Sequence, residues 1–113
     1  MTVFAVQQQR VRQGGQLVDK FDFTDAQARY GEVNIILDHS ATPFDMAPVI
    51  TRLHEHLKNI TNEDWIILTG NPVLIGLAVA IAADYLDGCL RILQWSGSTD
   101  NYIPITLENV YDN

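Results

Sequence analysis

The amino-acid sequence predicts an α/β fold, a small three-layer sandwich with parallel core strands, an antiparallel C-terminal edge strand and an N-terminal β-hairpin. Three observations carry that prediction. Residues 65–68 (Trp-Ile-Ile-Leu) form an unbroken apolar run, the pattern of a parallel strand covered on both faces. From residue 33 onward, strand-length apolar runs alternate with helix-length ones, as a parallel sheet requires. The last two strand-like runs are separated only by the turn-rich residues 96–101. A parallel return needs a crossover of about a dozen residues, so the final strand comes back antiparallel.

The chain is organised around residues 65–85. Thr69-Gly70-Asn71-Pro72 ends the strand: Gly70 permits a tight turn, Asn71 is a good N-cap, and Pro72 suits the first helical position, where a missing N–H costs nothing. The helix that follows is apolar on nearly every side up to Asp84, which predicts a core helix or a membrane helix. Residues 66–83 carry no charge. A spanning helix, however, needs roughly 20 uninterrupted residues, and Gly70, Asn71 and Pro72 divide the run. Asp64 and Asp84 flank it where a membrane span would carry Lys or Arg, so no membrane partner is expected. Gly76, Ala80 and Ala83 recur at helical spacing and would let this helix approach the sheet or a second helix closely.

The remaining elements follow in order. Residues 2–8 read as a strand by their β-branched and aromatic content. Gln13-Gly14-Gly15-Gln16 is a turn signal, and residues 17–23 would return as its partner, giving a hairpin extension over residues 1–23. Arg10 and Arg12 alternate with Val11 near that turn, as charges do on a solvated strand edge. Thr24 is placed to cap a short helix over residues 25–30, which Gly31 ends. Residues 33–37 are a buried strand, apolar except for Asn34, running into the polar loop Asp38-His39-Ser40-Ala41-Thr42-Pro43. An amphipathic helix follows, with Asp45 as N-cap and Met46, Val49, Ile50, Leu53 and Leu57 on its apolar face. Asp87-Gly88 stops the apolar helix. Residues 89–95 form a strand that Arg91 places near an edge, and Pro104 restricts the strand over residues 102–107 to an edge or a bulge. Residues 108–113 make a frayed acidic tail. Right-handed crossovers make the three strands from residue 33 onward parallel, a Rossmann-like order.

Composition sets the outer bounds. The chain has 113 residues, 47% of them hydrophobic and 19% charged, which suits one compact domain without a low-complexity tract. A formal net charge of −7 argues against direct duplex nucleic-acid binding and against anionic lipid. Cys89 is the single cysteine, so an internal disulfide is excluded. The first ten residues lack the basic and apolar segments of a secretory signal, and the expected location is cytoplasmic.

In parallel sheets ligands sit outside the carboxyl ends of the strands. Three loops converge there, at residues 38–42, 69–71 and 95–98. The candidate ligand-binding residues are therefore Asp38, Ser40, Thr69, Gly70, Asn71, Trp95 and Ser96. Thr69, Gly70 and Asn71 present hydroxyl and backbone N–H groups that suit an anion at a helix N-terminus. The same residues also suit an ordinary capped turn. The loop is neither a Walker A sequence nor a dinucleotide glycine fingerprint. Asp38 suits a ribose hydroxyl or a local turn bond. Trp95 suits stacking on a base, anchoring of a partner, or packing over the buried helix.

Catalytic and metal chemistry find no support. His39 and Ser40 are adjacent and cannot oppose each other as base and nucleophile. His54 and His56 are two apart on a helix and face different ways, which is poor chelate geometry. Cys89 has no activating base nearby in sequence. No catalytic residue, metal or cofactor is assigned.

Ile67-Leu68-Thr69-Gly70-Asn71-Pro72, Ala80-Ile81-Ala82-Ala83-Asp84-Tyr85, Leu93-Gln94-Trp95-Ser96-Gly97 and Tyr102-Ile103-Pro104 resemble segments of short proteins of tailed bacteriophages, especially marine ones. The resemblance spans roughly residues 31–107, a domain-sized stretch. It implies a phage origin and no particular chemistry. A looser resemblance is to the Rossmann-like sensor domains of bacterial antiviral systems, and it implies a cyclic-oligonucleotide ligand. Two functional expectations follow. The first is a small accessory protein that binds a protein partner or itself. The second is a nucleotide or small-anion binder using the three loops, for which Gly70→Val would remove ligand binding while leaving the fold intact.

Overall fold

A computed structural model describes residues 1–111. In chain order the elements are β1 (Thr2–Gln7), β2 (Arg10–Gln13), β3 (Gln16–Asp19), α1 (Thr24–Tyr30) and β4 (Glu32–Leu37). They continue with α2 (Met46–Leu57), β5 (Trp65–Ile67), α3 (Pro72–Tyr85), β6 (Leu90–Ser96) and β7 (Asn101–Leu107). The main sheet has the order β4-β1-β5-β6-β7. Its first four members are parallel, and β7 pairs antiparallel with β6.

The N-terminal strand lies elsewhere than the sequence suggests. Instead of joining a peripheral hairpin, β1 is an interior strand of the sheet, between β4 and β5, with Val3 paired to both Val33 and Trp65. Val3, Phe4, Ala5 and Val6 are all buried. A strand apolar on both faces is stable only where both faces are covered, and a central position supplies that. The hairpin consists of β2 and β3 alone, a separate two-stranded sheet. With β1 inserted between β4 and β5, β4 becomes an edge strand, and Ile35 is left partly open to water, unlike the buried strand that the sequence predicts.

From β1 the chain passes to β4 by way of α1 on one face of the sheet, then crosses back to β5 by way of α2 on the other. Right-handed crossovers require this change of face when the direction of winding reverses. Phe4, Val6, Ile36 and Ile66 pack against Val49, Leu53, Leu57, Leu74 and Ala78 of α2 and α3. Val3, Ala5, Trp65, Ile67, Leu93 and Tyr102 pack on the opposite face against Ala26 of α1, with Phe23 and Tyr30 beside them.

Local signals mostly act as their chemistry dictates. Asn71 caps α3 by accepting from Val73 N at 2.8 Å, and Pro72 is the first helical residue. Gly88 N donates to Ala83 O and ends that helix. Pro104 lies on the edge strand, as a residue without an N–H must. Two caps differ. Thr24 does not cap α1, because the Asp22 carboxylate accepts from its N–H and hydroxyl instead. Asp45 stands at the start of α2 without a side-chain cap bond. The small residues of α3 also act differently: Gly76 and Ala80 face outward, a Cβ on Gly76 would meet open space, and Val73 is 55% exposed. The helix covers the sheet with one face only, because α2 packs beside it rather than over it. Within the tail, Val110 N donates to Gly88 O at 3.2 Å, and Asp112 and Asn113 lie outside the described residues.

Candidate functional site

In a doubly wound sheet the crevice opens where adjacent strands send their chains in opposite directions. Here that point lies between the ends of β1 and β5, and a residue the sequence did not single out occupies it. Gln7, 4% exposed, is the last residue of β1. Its Nε2 donates to Asp38 O at 3.0 Å and Ala41 O at 2.9 Å, while its Oε1 accepts from Asn71 N at 2.9 Å. One amide thus ties together two of the three loops expected to converge. Gly70 is drawn close to it: with φ +117°, a Cβ there would stand 2.5 Å from both Cβ and Oε1 of Gln7. Gly70→Val is therefore expected to strain the fold itself, where the sequence alone predicts that it leaves the fold intact. The only hint at Gln7 was a polar residue closing a run of apolar ones.

The other candidate residues divide among separate hollows. Asp38 and Ser40 line one of about 500 Å³ along β4. Asp38 Oδ1 accepts from Ser40 N at 2.7 Å and from its hydroxyl at 2.6 Å, and these bonds hold the carboxyl below its usual range. Asn71 lines a polar hollow of about 320 Å³ with Gln7, Gln9, Arg10 and His39. Two donors at the start of α3 are already engaged there, Asn71 N by Gln7 and Val73 N by the Asn71 side chain. Thr69 is buried, with its hydroxyl 3.5 Å from Gln7 N. Ser96 Oγ lies 3.2 Å from Ser98 Oγ within its own turn.

Trp95 is placed differently from all of these. It is 41% exposed and stands opposite Tyr102 across the β6–β7 ladder, their rings edge to face at 5.0 Å. Its indole lies on the α1 side of the sheet, so it does not pack over α3. With Phe21, Leu68, Leu93 and Tyr102 it borders a mainly apolar hollow of about 350 Å³.

Beneath it, burial first and then the Asp22 and Asp25 carboxylates push the Tyr102 phenol up to about 12. An unfolded tyrosine titrates near 10. A phenol raised in the folded state contributes stability that is complete below pH ~10 and lost as pH climbs through the folded value. Urea denaturation between pH 9 and 12 should show that alkaline loss in the wild type and a flatter profile in Tyr102→Phe. Equal slopes would remove Tyr102 as the cause.

No group of His, Cys, Asp and Glu among the described residues is arranged to hold a metal ion. His54 Nδ1 is 2.7 Å from the Tyr85 hydroxyl, while burial and the Arg52 charge hold the His56 imidazole below its usual range. Among the described residues no helix is long and apolar enough to cross a membrane.

No curated protein and no solved structure matches the chain. The likeness to cyclic-oligonucleotide sensor domains thus gains no support. A family model described as phage Pam3 gp32-like protein matches residues 1–109, which takes in the buried N-terminal strand and the hairpin as well as the stretch that resembles tailed-phage proteins. The chain belongs to the phage Pam3 gp32-like protein family.

Proposed function

We propose that this phage-family protein is a small accessory protein that acts in the host cytoplasm by binding a protein partner through the surface around Trp95. The observation that carries the reading is the half-exposed indole, braced on buried Tyr102 beside an apolar hollow of about 350 Å³. Aromatic side chains held rigidly at the rim of an apolar pocket are the usual anchors of protein interfaces. Leu68, also 41% exposed, extends the apolar rim on β5's side. The fitting partner inserts an aliphatic or aromatic side chain between Trp95 and Phe21.

A nucleotide or small anion at the strand-end loops is the alternative, and the polar hollow beside Gln7 favours it. Against it weighs the start of α3, where Asn71 N and Val73 N are already engaged by Gln7 and by the Asn71 side chain.

Partner capture from phage-infected host lysate, read by native mass spectrometry, separates the readings. Trp95→Ala should fold with little change in melting temperature yet weaken retention of a stoichiometric protein by about tenfold or more, the scale of an interface hot spot. Unchanged retention would sink the Trp95 assignment. A retained mass of nucleotide size would move the site to the strand-end loops.

A further inference from the structure

The β2–β3 hairpin is the element that the fold itself leaves unexplained. Gly14 and Gly15, with φ +60° and +81°, make the two-residue turn whose twist matches paired strands. Its base is closed by Lys20 N donating to Gln9 O at 2.8 Å and Gln8 Nε2 donating to Asp19 Oδ1 at 3.1 Å. The hairpin is thus a shaped arm, and beyond its base it lies against no other element to any extent. A lone two-stranded hairpin is marginal in water and gains from a surface to lie on. Val11 and Leu17 are exposed on it.

Charge indicates which surface. Arg10, Arg12 and Lys20 are three of the chain's seven basic residues, whereas Asp19 is the arm's one acid out of fourteen. An arm of net charge +2 therefore projects from a body of net charge −9. Such a body repels nucleic acid and attracts the arm of another copy.

The body offers one edge for it. At β7, Asp25 accepts from Tyr102 N, Arg29 donates to Tyr102 O, and Pro104 removes a further donor. At β4, among the described residues, the one side-chain cap on the outer backbone is Arg52 Nε, donating to Ile36 O at 2.9 Å. Alongside runs the hollow of about 500 Å³ lined by Ile35, Asp38 and Asp45, and by Arg52, whose guanidinium is committed to Ile36 O and leaves the two carboxylates in excess. Gln8, at the root of the arm, lines the same hollow. Two copies related by a two-fold axis would therefore bring both arm-to-hollow contacts into one continuous interface.

We infer that the protein self-associates by arm exchange, the hairpin of one copy lying in the β4-edge hollow of a second. The arm face carrying Arg10, Arg12 and Leu17 meets Asp38, Asp45 and Ile35. The exposed Arg10–Asp19 pair at 3.4 Å is a weak contact that yields to the new partners. This surface is separate from Trp95.

Sedimentation velocity of the full chain tests the inference. Wild type should be a dimer that weakens as salt is raised. Arg12→Glu and Asp45→Lys should each weaken dimerisation by about tenfold or more and run as monomers with unchanged circular dichroism. An equimolar mixture of the two variants should form dimers again, since one contact is then native and the other has both charges exchanged. A monomeric wild type, single variants that remain dimeric, or a mixture that stays monomeric would each overturn arm exchange. So would a monomeric wild type that retains duplex DNA through Arg12. Trp95→Ala should leave the dimer intact, so failure of this inference and failure of the Trp95 reading are observed separately.

Discussion

Gly70→Val is expected to lower folding stability by about 3–5 kcal/mol, from left-handed backbone strain and overpacking acting together. The backbone at Gly70 has φ +117°, a conformation that residues with a Cβ rarely adopt. The added side chain would also start 2.5 Å from Gln7, whose amide is held by three hydrogen bonds and has no free direction in which to move. Urea denaturation measures the loss directly. Gly70→Ala should suffer most of it, and Gln7→Ala in the same chain should relieve only the overlap with Oε1, leaving the 2.5 Å approach to the Gln7 Cβ and the backbone strain in place. A Gly70→Val protein within about 1 kcal/mol of wild type would mean that the strand-end loops relax around the new side chain, contrary to the close packing of buried residues.

Gln7→Ala is expected to cost about 3 kcal/mol, roughly 1 kcal/mol for each hydrogen bond removed, with a further contribution from the buried groups left without partners. The effect has a local signature. Asn71 N loses its acceptor, and Asp38 O and Ala41 O lose their donor. Hydrogen exchange at the Asn71 amide should therefore accelerate beyond what the global loss of stability produces, whereas amides of β6 and β7 should follow the global change alone. Gln7→Glu should be no better than alanine, because a carboxylate cannot donate to either carbonyl and burial penalises its charge. An Asn71 amide in Gln7→Ala as protected as in wild type would show that the amide is not what joins the two loops.

Both predictions centre on a residue whose importance is hidden in one dimension. The candidate loops were legible because each carries local chemistry: Asn71-Pro72 begins a helix wherever it occurs, and Asp38 with Ser40 forms its turn from neighbouring atoms. Gln7 has no such neighbours. Its three hydrogen-bonding partners lie 31, 34 and 64 residues away, and only the pairing of β1 with both β4 and β5 brings them within reach. Placing residues 2–8 in a hairpin removed that possibility from view, since a peripheral strand ends in water.

Trp95 was half legible. An aromatic residue at a strand end beside small polar residues suggested either an anchor or a packed ring. Its face was settled by strand register, which sets it opposite Tyr102 and on the α1 side. Likewise Arg10 and Arg12 read as charges guarding a strand edge, yet the segregation of charge between arm and body needed the arm's projection to be seen.

The sequence by itself determined the α/β class, the parallel strands after residue 33, the antiparallel final strand with Pro104 on the edge, and the capped apolar helix. These follow from periodicity, turn chemistry and loop length, all of which act over a few residues. The tertiary structure alone decided that β1 is an interior strand paired on both sides, that β4 is the sheet's open edge, that α3 leaves one face uncovered and that Gln7 closes the strand-end crevice. Strand order is chosen by competition among distant segments of similar apolar pattern, and the free energy that decides it is the burial of both faces of the most apolar strands, a property of the assembled sheet rather than of any one segment.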